Sequence, residues 1–186
     1  MAILKIALMG HPVLRRTAQP VPNPAAPEHR ELIDDMRQTM VDATGVGLAA
    51  PQVFAGRRII MFCAPASRPG TGSKTETEIP ETVLINPEIE PFSDEVALGW
   101  EGCLSLPRLR GLVPRWRHIG YRGYSPDGTL IECEAFGFLA RVIQHELDHL
   151  NGILYLDRII DSRLITYEEE MADFRHEDYI GLASIE

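Results

Sequence analysis

Three cysteines are all the chain has: Cys63, Cys103 and Cys133. An odd, widely spaced set is unlike a disulfide framework. It points to a reducing, cytoplasmic compartment, where a thiolate is free to bind metal. Basic charge is also short. Lys and Arg number 18 against 27 Asp and Glu, a net charge of −9, which argues against a general binder of nucleic acid or anionic membrane. Long apolar runs are missing too. The first ten residues carry one Lys and a short apolar stretch, too little for a signal peptide or a membrane span, and they lack the Arg- and Ser-rich character of a transit peptide. Internal repeats and low-complexity tracts are absent. What is present is ordinary for a soluble protein: 186 residues, 45% hydrophobic and 24% charged. This suits one domain, residues 1–186, able to bury a core without structural metal or disulfides.

Prolines 20, 22, 24 and 27 make an extended segment that helix cannot enter. Beyond it, Leu32, Ile33, Met36 and Met40 recur at helical spacing, predicting an amphipathic helix over 28–42 that stops before Gly45. Residues 57–63 and 82–89 are rich in β-branched side chains and predict strands. The polar, Pro/Gly-punctuated stretch 64–80 between them predicts a surface loop. Short strand signals run through 113–133, broken by a turn at Ser125-Pro126-Asp127-Gly128. From 136 to 150 there is no proline, and Phe138, Leu139, Val142, Ile143, Leu147 and Leu150 give a wide apolar surface. This predicts a buried helix stopped by Asn151-Gly152. Residues 166–176 predict a short acidic helix. Without a regular βαβ rhythm, the fold class expected is α+β: mainly antiparallel sheets packed around that central helix.

The central helix carries the chemistry. His145-Glu146-Leu147-Asp148-His149 is an H-E-x-x-H pattern. Residues four apart lie one turn above each other, so His145 and His149 can share a metal ion. Glu146 lies beside the same face, where its carboxylate can reach water without filling a coordination position. Two ligands do not make a catalytic site, and a third is needed. Cys103, Cys133, Cys63, the acids and the other histidines are candidates, and spacing alone does not choose between them. The lack of a C-x-x-C pair argues against a zinc finger.

Three blocks together resemble the peptide deformylase family: Gly45-Val46-Gly47-Leu48-Ala49-Ala50-Pro51-Gln52, Glu101-Gly102-Cys103-Leu104-Ser105 and Gln144-His145-Glu146-Leu147-Asp148-His149. Shorter matches run through residues 10–15, 84–87 and 110–114, so the likeness covers nearly everything up to Asp157. It implies an enzyme that removes the N-terminal formyl group from formyl-methionyl nascent polypeptides and releases formate. It implies Cys103, His145 and His149 as ligands of one divalent ion, natively Fe(II), with zinc, nickel or cobalt able to replace it. Hydroxide from a metal-held water would attack the formyl carbon, with Glu146 as general base and then acid. The Gln52 side-chain amide and the Leu104 N–H would steady the charge on the formyl oxygen. Gly45, Val46, Gly47 and Gly102 would border an extended peptide. Val46, Leu104, Phe138, Val142 and the His145 ring would surround the methionine, with Arg110 near the peptide entrance.

Two other readings compete. An H-E-x-x-H peptidase explains the helix but not the Gly45 and Cys103 blocks. A non-catalytic formyl-peptide binder has no need of Glu146 and Gln52. Residues 158–186 form an acidic extension: from Asp157 onward nine acids stand against three arginines. Such a surface is expected to repel ribosomal RNA, so any proximity to the ribosome would be transient and without tight RNA binding.

Overall fold

The computed structural model describes residues 2–64 and 78–172. Two antiparallel sheets carry the fold. The larger is built from β1 (Gly47–Ala49), β2 (Ile59–Ala64), β3 (Ile79–Pro91), β6 (His118–Tyr124) and β7 (Leu130–Phe136), in the order β1-β2-β3-β6-β7. The smaller contains β4 (Val96–Cys103), β5 (Leu106–Trp116) and β8 (Ile165–Tyr167), in the order β4-β5-β8. Every strand pair within both sheets is antiparallel. Among the described residues two α-helices accompany them, α1 (Arg30–Asp42) and α2 (Gly137–Leu150).

The apolar run in β2 is explained by burial on both faces. Ile60 and Phe62 join Leu84, Ile119 and the α2 residues Ala140, Val142, Ile143 and Leu150 in one cluster. Their neighbours Ile59 and Met61 point the other way, with Val83 and Ile85, onto Ile33, Met36 and Met40 of α1. Side chains alternate across a strand, so a sheet with a helix on each face reads as continuously hydrophobic. Each fully buried Ile, Leu, Phe or Met side chain here contributes about 1.5–3 kcal/mol of transfer free energy.

Helix α2 also packs against β5, so it runs between the two sheets. Its buried positions are not confined to one stripe: Gln144, His145, Glu146, Asp148 and His149 are buried alongside the apolar ones. The expected stop holds. Gly152 takes a φ of +73°, and a Cβ there would meet the backbone of Arg15 at 2.8 Å.

Three expectations need correction. Strand β4, which ends at Cys103, lies where no strand was expected. Of the predicted loop, Ala64 ends β2 while Ile79 and Pro80 begin β3, and 65–77 lie outside the described residues. Thr166 and Tyr167 lie in β8, paired to β5, followed by a single 3₁₀ turn, Glu170–Ala172, instead of a helix from residue 166. Residues 173–186 lie outside the described residues.

Candidate active site

His145 and His149 lie one turn apart on α2, with ring centroids 5.0 Å from each other. The third donor arrives from β4. At its end the β4–β5 register shifts between Gly102 and Cys103, which breaks the strand's regular pleat next to the thiol. Cys103 Sγ lies 3.2 Å from His149 Nε2. One ligand atom from each of Cys103, His145 and His149 falls within 4.8 Å of the others, the one such group among the described residues. Of the three cysteines it is therefore Cys103 that meets the histidine pair. Cys63 packs against the α1 cluster and Cys133 is exposed.

The histidine orientation is set by a charged network. His145 Nδ1 donates to Glu101 Oε2 at 2.8 Å, which leaves Nε2 as the nitrogen available to a metal. Arg115 grips the same carboxylate with two hydrogen bonds of 2.8 and 3.0 Å. Its third donor reaches Asp148 at 2.6 Å. Arg141 adds a bond to Glu101 at 2.9 Å, and Arg158 adds two to Asp148 at 2.7 and 3.2 Å. Glu101, Arg115 and Asp148 are each 5% exposed, so these charges hold only because they satisfy each other. Gln144 ties α2 to β5, accepting from Trp116 N–H and donating to Trp116 O.

Electrostatics favour an anionic sulfur. Burial opposes the charged form of Cys103, but the charge and hydrogen bonds of His149 and His145 outweigh it and hold the thiol well below its usual range. Burial likewise opposes charge on Glu101, and Arg115 and His145 overcome it, so its carboxyl lies well below the ordinary value. Glu146 differs. Burial pushes its carboxyl up to about 7, against the downward pull of the two histidines. Its Oε2 and the Nδ1 of His149 are buried without a hydrogen-bond partner. An orphaned carboxylate oxygen costs about 1–3 kcal/mol or more, so it is retained for something other than stability. One thiolate, two imidazoles and an adjacent unpartnered carboxylate are a donor set that fits a divalent cation of borderline softness.

The other predicted residues cluster nearby. Gln52 is 2% exposed, and its amide is oriented by Ala49 N–H, which donates to Oε1 at 2.8 Å. Gln52 Nε2 then lies 3.2 Å from Ser105 Oγ and 3.5 Å from Cys103 Sγ. Leu104 follows Cys103, and a Cβ on Gly45 would touch its Cδ1 at 3.0 Å. Gly47 abuts Glu146: a Cβ there would come within 2.7 Å of the carboxyl carbon. Gly102 lies under the Arg110 guanidinium, which would overlap a Cβ at that position. Val46, Phe138 and Val142 share the α2-side cluster, whereas Leu104 packs with the α1-side cluster. Glu101, Arg115, Asp148 and Ser105 were not singled out by the sequence reading. A buried salt-bridge set looks like surface polarity when read one residue at a time.

Similarity to known proteins agrees with this geometry. The family model described as polypeptide deformylase matches residues 3–164. Peptide deformylase 1 of Bordetella pertussis is 53% identical over 168 residues, covering 90% of this chain and 92% of that protein. Peptide deformylase 1 of Xanthomonas campestris is 46% identical, covering 91% and 98%. Among solved structures, a class I type b peptide deformylase from Acinetobacter baumannii with Met-Ala-Ser bound superposes with a TM-score of 0.77 at 40% identity, covering 85% of this chain and 99% of that one. Peptide deformylase from Thermotoga maritima gives 0.74 at 36% identity, covering 87% and 100%. With a thiol, two histidines and a carboxylate drawn together in the blocks that define the resemblance, this chain belongs to the polypeptide deformylase family and is an enzyme.

Proposed function

We propose that the chain hydrolyses the formyl group from the N-terminal formyl-methionine of newly made polypeptides, releasing formate. The observation that carries this reading is the buried, unpartnered carboxylate of Glu146 beside the converging Cys103, His145 and His149. Cys103, His145 and His149 would hold a divalent ion, which would supply Lewis acidity toward water and the formyl carbonyl. The thiolate softens the donor set, which suits Fe(II), with zinc, nickel or cobalt able to take the same ligands.

Glu146 accepts a proton as water attacks the formyl carbon and returns it to the departing amine. Negative charge gathering on the formyl oxygen is met by Gln52 Nε2 and the Leu104 N–H. Gln52 Nε2 lies between Ser105 Oγ and Cys103 Sγ, so the N–H on the sulfur side can turn to an oxyanion while Ser105 and Ala49 hold the amide in plane. The backbone around Gly45, Gly47 and Gly102 borders an extended peptide, with Val46, Phe138 and Val142 around the methionine and Arg110 at the entrance.

Residues 1–186 act as one catalytic domain in this reading, in the cytoplasm, on chains emerging from the ribosome and without tight RNA binding. No described helix is long and apolar enough to cross a membrane. The test is formate release from formyl-Met-Ala-Ser by protein purified without oxygen, assayed beside Glu146→Ala. Fast release by the parent and none by the variant, with metal content equal, supports the reading. Substantial turnover by the variant removes Glu146 from the mechanism. A parent that binds metal and releases no formate overturns the deformylase assignment.

A further inference from the structure

The family match ends at residue 164, and β8 begins at Ile165. Thr166 pairs in register with Arg110, and the Glu168 N–H donates to Arg108 O at 2.7 Å. This register brings Glu168 Oε1 to 2.6 Å from Arg110 Nη2. Arg110 in turn stands opposite Gly102 in the β4–β5 ladder, with its guanidinium lying over that glycine. Gly102 immediately precedes Cys103. The cation beside the candidate metal ligand is thus held from outside by an acid of the extension. Both side chains remain open to solvent, 30% for Arg110 and 53% for Glu168.

We propose that Glu168 is a specificity-determining residue that, by occupying Arg110, denies an ion pair to substrates carrying a carboxylate at this strand edge. The inference rests on the deformylase reading above. A peptide passing along Gly102 meets a neutralised arginine, so neutral or basic sequence after the formyl-methionine is favoured over acidic sequence. The competing carboxylate comes from an acidic side chain or from the free C-terminus of a short peptide. Glu168 acts through Arg110 and is a positioning residue. A half-exposed ion pair shifts an equilibrium by about two- to fivefold, and salt screens it.

The experiment measures kcat and KM for formyl-Met-Ala-Ser and its C-terminal amide, and for formyl-Met-Ala-Asp-amide and its Asn counterpart. The parent is compared with Glu168→Gln and Glu169→Gln. Glu169 pairs with Arg108, so its variant makes the same charge change two residues along β5. Glu168→Gln is expected to lower the KM of a carboxylate-bearing peptide, relative to its neutral partner, by about two- to fivefold. The kcat ratio should stay fixed, the effect should fade in about 0.5 M salt, and Glu169→Gln should keep the parental ratio. A response in the Ser pair alone names the C-terminal carboxylate, and a response in the Asp pair alone names the side chain. Either supports the proposal. Ratios equal in all three proteins overturn it, as does an equal shift in both variants or a shift confined to kcat. Formate release with unmoved ratios sinks this inference alone, whereas no release from any peptide by the parent sinks the deformylase reading with it.

Discussion

Gly47→Ala is expected to abolish most activity while leaving the fold and the proposed metal ligands in place. The backbone of Gly47 lies outside the left-handed region and within β1, so alanine meets no conformational strain and loses less chain entropy on folding. The obstacle is Glu146. An alanine Cβ would lie 2.7 Å from its carboxyl carbon and 2.9 Å from its Cγ, where ordinary contact begins at 3.4 Å. The carboxyl carbon must retreat by about 0.7 Å and its nearer oxygen further still. Misplacement of a catalytic group on this scale costs about 10²-fold, and complete loss of a general base about 10²–10⁴-fold. At about 1.4 kcal/mol per decade, this is roughly 3–5 kcal/mol on the barrier. Steady-state formate release, metal analysis and urea unfolding on the same preparation separate the terms. A kcat within about threefold of the parent would refute the reasoning, because Glu146 would then have re-seated without loss. So would a fall in activity matched by loss of metal.

Cys103→Ser should lower metal retention, or turn preference toward harder ions, since a serine oxygen is a poorer and harder donor; unchanged metal content by elemental analysis would make Cys103 a packing residue. Glu101→Gln should weaken metal affinity about 10-fold or more, because His145 loses the carboxylate that orients its ring, and chelator competition reads this directly. Arg115→Met strands Glu101 and Asp148 as buried carboxylates, a loss of about 3–5 kcal/mol. Arg141 keeps its bond to Glu101 and Arg158 its two bonds to Asp148, so the lower end is expected, and a loss under about 1 kcal/mol in urea unfolding would show the network to be energetically idle.

The elements legible in the sequence are those with one dominant period. Helix α1 and the H-E-x-x-H helix announce themselves through apolar spacing, and the runs of β2 and β3 through β-branched residues. Strand β4 hid because its pattern is interrupted by Gly99 and Gly102. Those glycines are explained only in three dimensions: arginines 141 and 110 fold over them, leaving no room for a side chain. The histidine pair could be read from spacing, because a helix turn is local. Its joining with Cys103 could not, since β4 meets α2 across 46 residues of sequence, and the resemblance supplied it. The Glu101–Arg115–Asp148 network was likewise hidden, because burial is a property of the assembled sheets. In the extension, acidic composition suggested a helix, and pairing with β5 prevailed for Ile165–Tyr167.

Strand β8 also bears on how the protein keeps to itself. Without it, β5 would be an outer strand, and Leu109–Gly111 would offer unanswered amides and carbonyls to any passing chain. Three residues of β8 close that stretch. Further along, Pro114 removes an amide from β5, which blunts what is left of the edge. A chain cut before Ile165 would keep the proposed catalytic residues yet expose a template for strand-to-strand association. The extension is therefore expected to limit association at the sheet's open side, and self-association of such a truncated protein by size-exclusion chromatography would show it.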